Sequence, residues 1–206
     1  MHQITVVSLG AGPREQLTLG ALETLEKAKR LILRTGEIDA AACLRERGLQ
    51  FETLDDLHEQ CEDFDDFIAA AAERVKRAAA RANAVYAVLD ATNDETVAAL
   101  LHAYPDHVRL GAGMPLYAPL LQAAGAQLPA RICSATSLTV PETQDGLLVT
   151  EMNTRQLAGE CKLKLAAWYG DEAEAMFFPP VRTAKREFIR IPLYELDRQP
   201  RYDHTA

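Results

Sequence analysis

The stretch Gln3-Ile4-Thr5-Val6-Val7-Ser8-Leu9-Gly10-Ala11-Gly12-Pro13-Arg14-Glu15-Gln16-Leu17-Thr18 decides the fold class. Its first part is a run of apolar and β-branched residues, which reads as a buried strand. Gly10 and Gly12 can take positive φ and turn the chain sharply. Thr18 is a plausible N-cap for a helix with Leu19, Leu22, Leu25 and Ala28 at helical spacing. Strand, glycine turn and helix in that order form the building unit of an α/β sheet.

The unit repeats downstream. Arg30 to Arg34 reads as a strand, Asp39 to Arg47 as a helix that Gly48 can end, and Leu49 to Thr53 as a weaker strand. A long Ala-rich helix spans about Asp65 to Ala82, with acidic residues at its start and a basic last turn, as the helix dipole favours. Ala84 to Leu89 is a further buried strand. Asn93 or Asp94 would cap a helix over Glu95 to Ala103, and Val108 to Leu110 is a strand ahead of a glycine loop. Such alternation predicts a mostly parallel sheet with both faces covered and the strand ends gathered on one rim.

The rest of the chain differs. It reads as a short helix over Pro115 to Ala124, strands at Arg131 to Cys133 and Leu147 to Thr150, and a helix over Leu157 to Trp168. Ala175 to Phe178 and Glu187 to Ile191 read as late strands that could form a hairpin. The expectation is a two-lobed α/β protein. Residues 1–112 form a lobe with a mostly parallel sheet, and residues 113–206 a lobe with a mixed sheet.

Composition narrows the functions. Twenty-two Lys and Arg against 30 Asp and Glu give a formal charge of −8. That argues against nucleic acid as a partner, because phosphate neutralisation needs clustered cations. The start has no basic region followed by an apolar signal core. The uncharged stretch from Leu110 to Ala130 has the length of a membrane span, but its glycines, prolines and glutamines read as loops and a short helix. No membrane association is expected, and the location expected is cytoplasmic. Cys43, Cys61, Cys133 and Cys161 lack metal-ligand spacing and read as buried, reduced thiols. Eight carboxylates between Glu52 and Asp66, with no Lys or Arg, read as a solvated loop and helix start rather than a metal site.

Four loops follow strands and lie where open α/β sheets bind ligands. They are Gly10 to Pro13, Asp90-Ala91-Thr92-Asn93, Gly111 to Pro115, and Thr150-Glu151-Met152-Asn153. The first lacks the third glycine of a dinucleotide fingerprint and the Gly-Lys-Ser/Thr of a Walker loop. Taken singly, each is equally a plain turn with local capping. No nucleophile triad is readable.

Gly10-Ala11-Gly12 followed by Leu17-Thr18-Leu19-Gly20-Ala21-Leu22 resembles the opening of the tetrapyrrole methylase family. Phe64 to Phe67 with Val85 to Val88, Leu157 to Leu165, and Pro192 to Arg198 with Asp203 to Thr205 are similar to the methylase-like domain that precedes MazG-type nucleotide pyrophosphohydrolases. The resemblance implies a homodimer of two-domain subunits with S-adenosylmethionine folded between the domains, and methyl transfer to a tetrapyrrole or another small-molecule or protein acceptor. It places Gly10, Gly12, Pro13, Asp90, Ala91, Thr92, Gly113, Met114, Thr150, Glu151, Met152 and Pro180 at the cofactor. Asp90 and Glu151 stand, by position, as acceptors of a proton. No metal is implied. The loops depart from the family's Gly-Asp-Pro and Pro-Gly-Val-Ser patterns, since Pro13-Arg14, Asp90-Ala91-Thr92 and Ala112-Gly113-Met114-Pro115 stand there. A non-catalytic ligand-binding or regulatory domain, associated with a pyrophosphohydrolase, is therefore the alternative. No Glu-x-x-Glu metal helix of the hydrolase kind is present in the sequence.

Overall fold

A computed structural model describes residues 1–10, 12–125, 130–139, 146–178, 188–200 and 202. The chain divides into two compact units, Met1–Leu116 and a second beginning at Tyr117.

The first unit holds five strands: β1 (Ile4–Leu9), β2 (Arg30–Leu33), β3 (Glu52–Thr53), β4 (Ala84–Val88) and β5 (Val108–Met114). All pair in parallel, in the order β3-β2-β4-β1-β5. Every residue of β1 and β4 is buried. Both strands are covered on both faces, so they read as continuous apolar runs rather than alternating ones. The helices are α1 (Leu19–Glu26), α2 (Asp39–Glu46), α3 (Asp55–Gln60), α4 (Phe64–Ala79) and α5 (Glu95–Ala103). Thr18 caps α1 by accepting from the Ala21 N–H, and Asp94 rather than Asn93 caps α5 by accepting from Val97. Helix α4 buries Phe67, Ala71, Val75 and Ala79, four residues apart, against Ile4, Val6, Ile32, Tyr86 and Val88. A side chain the size of Val75, fully buried here, contributes about 1.5–3 kcal/mol.

Two expectations are corrected in this unit. The acidic run from Glu52 is not simply a solvated loop, since it contains α3. Asp55 accepts from the Gly36 N–H at 2.9 Å, Asp56 takes a two-point contact from Arg74 at 2.6 and 2.8 Å, and Asp63 caps α4. These carboxylates fasten neighbouring elements, and Asp55 and Asp56 in the first turn of α3 suit its dipole. The glycine loop expected after Leu110 is also strand: β5 runs on to Met114, with Gly111 and Gly113 inside it. Its pairing with β1 shifts register between Val6 and Ser8, an irregularity of the kind that glycine permits.

The second unit contains α6 (Tyr117–Ala123), β6 (Ala130–Ser134), β7 (Gly146–Thr150), α7 (Arg155–Tyr169), β8 (Glu174–Phe177), β9 (Ile189–Pro192) and a 3-10 helix over Leu193–Arg198. Both strand directions occur in this unit, since β6 and β7 form a parallel pair and β8 and β9 an antiparallel one. Thr154 caps α7, and Gly170 at φ +87° ends it. The core gathers Met152, Ala158, Cys161, Leu165, Phe177, Ile191, Leu193, Leu196 and Tyr202. Lys162 on α7 pairs with Asp197, fixing the 3-10 helix to it.

Of the four free cysteines only Cys161 is buried; Cys43, Cys61 and Cys133 are half-buried. Desolvation pushes the Cys161 thiol up to about 11, so it is protonated at neutral pH. Among the described residues no helix is long and apolar enough to cross a membrane. Nor does any group of three His, Cys, Asp or Glu among them suit a metal.

Candidate functional site

Strand β1 lies between β4 and β5, so the loops leaving these three strands meet at the carboxyl edge of the sheet. Hydrogen bonds fasten them to one another. The Gly10 N–H donates to Leu89 O at 3.0 Å, and the Ala91 N–H to Ser8 Oγ at 2.9 Å. The Leu116 N–H donates to Asp90 Oδ2 at 2.9 Å. The three sequence-predicted loops of this unit are thus brought together.

Asp90 is the staple. It is only 6% exposed. Its Oδ1 accepts from the Thr92 N–H at 2.9 Å and from Thr92 Oγ1 at 2.7 Å, while Oδ2 holds Leu116. Both oxygens are engaged by the chain itself, a geometry that joins loops rather than one that removes protons. In Asp90→Asn the amide nitrogen cannot accept, so one buried N–H loses its partner. The expected loss is about 1–3 kcal/mol, read by urea unfolding with no ligand present. A loss under about 0.5 kcal/mol would mean that the carboxylate does not hold the loops.

The first loop is fixed on its outer side too. Gly10 and Gly12 take φ of +78° and +107°. Gly12 O accepts from the Ala40 N–H at 2.8 Å. The Arg14 N–H donates to Asp39 at 3.0 Å, and the Arg14 guanidinium spans Asp39 and Glu46. Hydrogen bonding from this guanidinium holds the Asp39 and Glu46 carboxyls below their ordinary values. A Cβ at Gly10 would stand 2.9 Å from Gln16 Oε1 and 3.2 Å from Gln16 Cβ. The space beside Gly10 is therefore taken by the Gln16 side chain, from its Cβ to its amide oxygen. Pro13 and Ala91 are buried, Met114 is half-buried, and Thr92 and Gly113 are exposed.

In the second unit, Thr150 and Ser134 are register partners at the ends of β7 and β6. Thr150 is 2% exposed and its hydroxyl donates to Cys133 O at 3.3 Å. Glu151 follows at φ +59°, the one described non-glycine residue with positive φ. A glutamate in this region carries strain, of the sort found at functional turns. Met152 is buried in the core of the unit. Pro180 lies outside the described residues.

One cluster escaped the sequence reading. Arg34, just after β2, pairs with Asp94 at 3.1 Å and donates to Thr96 Oγ1 at 3.3 Å. Its guanidinium lies 4.8 Å from the Phe67 ring centroid. The Tyr86 hydroxyl is buried, and burial, with the nearby Asp94 charge, raises its pKa well above the ordinary value. A lone arginine ending the apolar run Leu31-Ile32-Leu33 was the available signal.

The loop after β1, with Gly10 and Gly12 at positive φ, has backbone that a nucleoside-bearing cofactor such as S-adenosylmethionine can approach closely. The Asp90 carboxylate does not fit a catalytic role there, and no proton is assigned to it.

No family model matches the chain. It is 28% identical over 208 residues to the uncharacterized protein YabN of Bacillus subtilis (strain 168), covering 95% of this chain. The chain spans 42% of that relative's length. Among solved structures it is similar to uroporphyrin-III C-methyltransferase of Thermus thermophilus, with TM-score 0.62 and 16% identity, covering 95% of this chain and 85% of that one. It is similar to the methyltransferase CobJ, with TM-score 0.63 and 15% identity, over 100% and 92%. It is also similar to the precorrin-6Y methylase CbiE of Archaeoglobus fulgidus, with TM-score 0.63 and 14% identity, over 100% and 96%. The chain therefore has the tetrapyrrole methyltransferase fold, an α/β architecture with a parallel five-stranded sheet and smaller C-terminal sheets.

Proposed function

We propose that this chain binds S-adenosylmethionine at the carboxyl edge of the five-stranded sheet and transfers its methyl group to a small-molecule acceptor. The observation that supports this reading best is the gathering of the β1, β4 and β5 loops, held edge to edge by the Ser8, Asp90 and Gly10 hydrogen bonds. A uroporphyrin-III C-methyltransferase of the same fold is described in complex with S-adenosylhomocysteine, at TM-score 0.55 and 15% identity.

Gly10, Gly12 and Pro13, with Ala91, Thr92, Gly113 and Met114, would hold the cofactor, mainly through backbone groups. Thr150, Glu151, Met152 and Pro180 are assigned to it on the resemblance alone. The bound cofactor supplies an electrophilic methyl on a sulfonium. The chain's part is to orient the acceptor and keep water away, so positioning rather than a base carries the rate. Where an acceptor proton must leave, Glu151 is assigned to take it on the resemblance alone. The protein acts in the cytoplasm as a homodimer, and a nucleotide pyrophosphohydrolase domain of the MazG type is its functional partner.

A second reading rests on Arg14, Gln16 and Asp90, which tie or cover the loops from within the chain. It is a regulatory domain of the same partner that binds no S-adenosylmethionine. Thermal unfolding with S-adenosylhomocysteine separates the two. At one hundred times its dissociation constant the ligand adds about 2.7 kcal/mol, roughly 5–10 °C for a chain of this size. No shift at millimolar ligand decides for the regulatory domain.

A further inference from the structure

Helix α2 begins without a side-chain cap. Ile38 stands at its N-cap and has no side-chain oxygen for the first-turn N–H groups, which lack partners inside a helix. A loop supplies an acceptor instead. Gly12 O, from the segment that follows β1, accepts from the Ala40 N–H at 2.8 Å. Asp39, the first residue of the helix, answers in the other direction, since its Oδ2 accepts from the Arg14 N–H at 3.0 Å. Loop and helix thus cap each other, and a carboxylate at this helix end also suits the dipole.

The Arg14 side chain closes the arrangement. Its Nε and Nη2 donate to Asp39 at 3.1 and 2.9 Å, and its Nη1 donates to Glu46 at 2.8 Å. Asp39 and Glu46 are the first and last residues of α2, about two turns apart. One planar guanidinium fork serves both, which a lysine ammonium does not match. Arg14 also opens the 3-10 turn Arg14–Gln16 that leads to Thr18 and α1. Whatever holds Arg14 therefore sets the path of the chain between Gly12 and α1. With its carbonyl committed to α2, the Gly12–Pro13 peptide is kept from turning toward the sheet edge.

We propose that Arg14 is a positioning residue for the ligand site. It latches the segment Gly12-Pro13-Arg14 to α2 and so fixes the backbone that the cofactor approaches, without touching the cofactor. Every nitrogen of the guanidinium is already engaged by Asp39 or Glu46. The ligand part of this proposal rests on the cofactor reading above. The latch itself is read without ligand.

Arg14→Gln removes the charge and the fork. In the ligand-free chain, the Ala40 amide should then exchange about tenfold faster, because its acceptor is no longer held. The Ala98 amide, which donates to Asp94 O in α5, should not change. The unfolding midpoint should stay within about 4 °C of the wild-type value, as for other partly exposed ion pairs. S-adenosylhomocysteine, followed by calorimetry, should bind about tenfold more weakly. Glu46→Gln, at the far end of α2 and 63% exposed, should show the same pattern at about twofold. Unchanged Ala40 exchange in Arg14→Gln overturns the proposal, with or without ligand. So does faster exchange with the affinity of a binding wild-type chain unaltered. Tighter binding by the variant overturns it too, because the latch would then shut the loop, as in the regulatory reading. If the wild-type chain binds no S-adenosylhomocysteine, the cofactor reading falls, while faster Ala40 exchange in Arg14→Gln still upholds the latch.

Discussion

Asp94→Ala is expected to destabilise the first unit by about 3–5 kcal/mol, the range for removing one partner of a buried ion pair. The Asp94 side chain is 7% exposed and that of Arg34 19%. Without Asp94, the Arg34 cation keeps its place over Phe67 and beside the buried Tyr86 hydroxyl but loses its counter-charge. The same change deletes the cap on the Val97 N–H, which by itself is worth about 1 kcal/mol. Urea unfolding followed by circular dichroism measures the total. Asp94→Asn separates the contributions, since an asparagine keeps the capping oxygen and removes the charge. Its loss should fall about 1 kcal/mol short of that of the alanine variant. A total loss below about 1 kcal/mol for Asp94→Ala would mean that solvent replaces the carboxylate without cost. Arg34 then would not be held by the pair.

That pair also marks what the sequence could and could not disclose. Strands β1, β2 and β4 were legible because strands covered on both faces must be apolar throughout, and because Thr18 and an acidic residue before Glu95 announce the helices that follow. The meeting of the β1 and β4 loops followed from the same alternation, since parallel strands with right-handed crossovers end on one rim. Strand β5 was legible only to Leu110. Gly111 and Gly113 have the composition of a loop, and their need for close approach to β1 arises from a register shift that no local pattern records. Helix α3 was hidden for a different reason. Its acidic residues lack an apolar stripe, and their partners Gly36 and Arg74 lie in other elements. Asp90 was found as a rim residue, but its role changes once Leu116 is seen to donate to it, a contact between two loops distant in sequence. The same limit concealed Arg34 with Asp94. In the second unit the strands were legible one by one. Their pairing, β6 with β7 and β8 with β9, depends on partners that periodicity does not name.

Gly113→Ala should be among the most damaging single changes in the chain, with an expected loss of about 3–5 kcal/mol from overpacking together with backbone strain. A Cβ at this position would lie 2.2 Å from Ser8 O and 2.7 Å from both Ser8 Cβ and Ser8 N, at φ +151°. Those atoms belong to β1, an interior strand of the sheet, and cannot swing aside as a side-chain end can. Gly48→Ala is the matched control. Gly48 has φ +80° with nothing within 4 Å of the added methyl, so it should show the left-handed penalty alone, about 1–2 kcal/mol. The difference between the two variants, measured by urea unfolding without ligand, isolates the contact with Ser8. Equal losses would show that β5 does not press on β1 as the register requires. The comparison also bears on the cofactor reading. Ser8 Oγ accepts from the Ala91 N–H, so displacing Ser8 unfastens the Asp90 loop, and a Gly113 variant would lose ligand affinity even if Gly113 never touched the ligand. Thr92, exposed at the same rim, is the position where lost affinity without lost stability would report a direct contact, provided that the variant is Thr92→Ser, which preserves the hydroxyl bonded to Asp90.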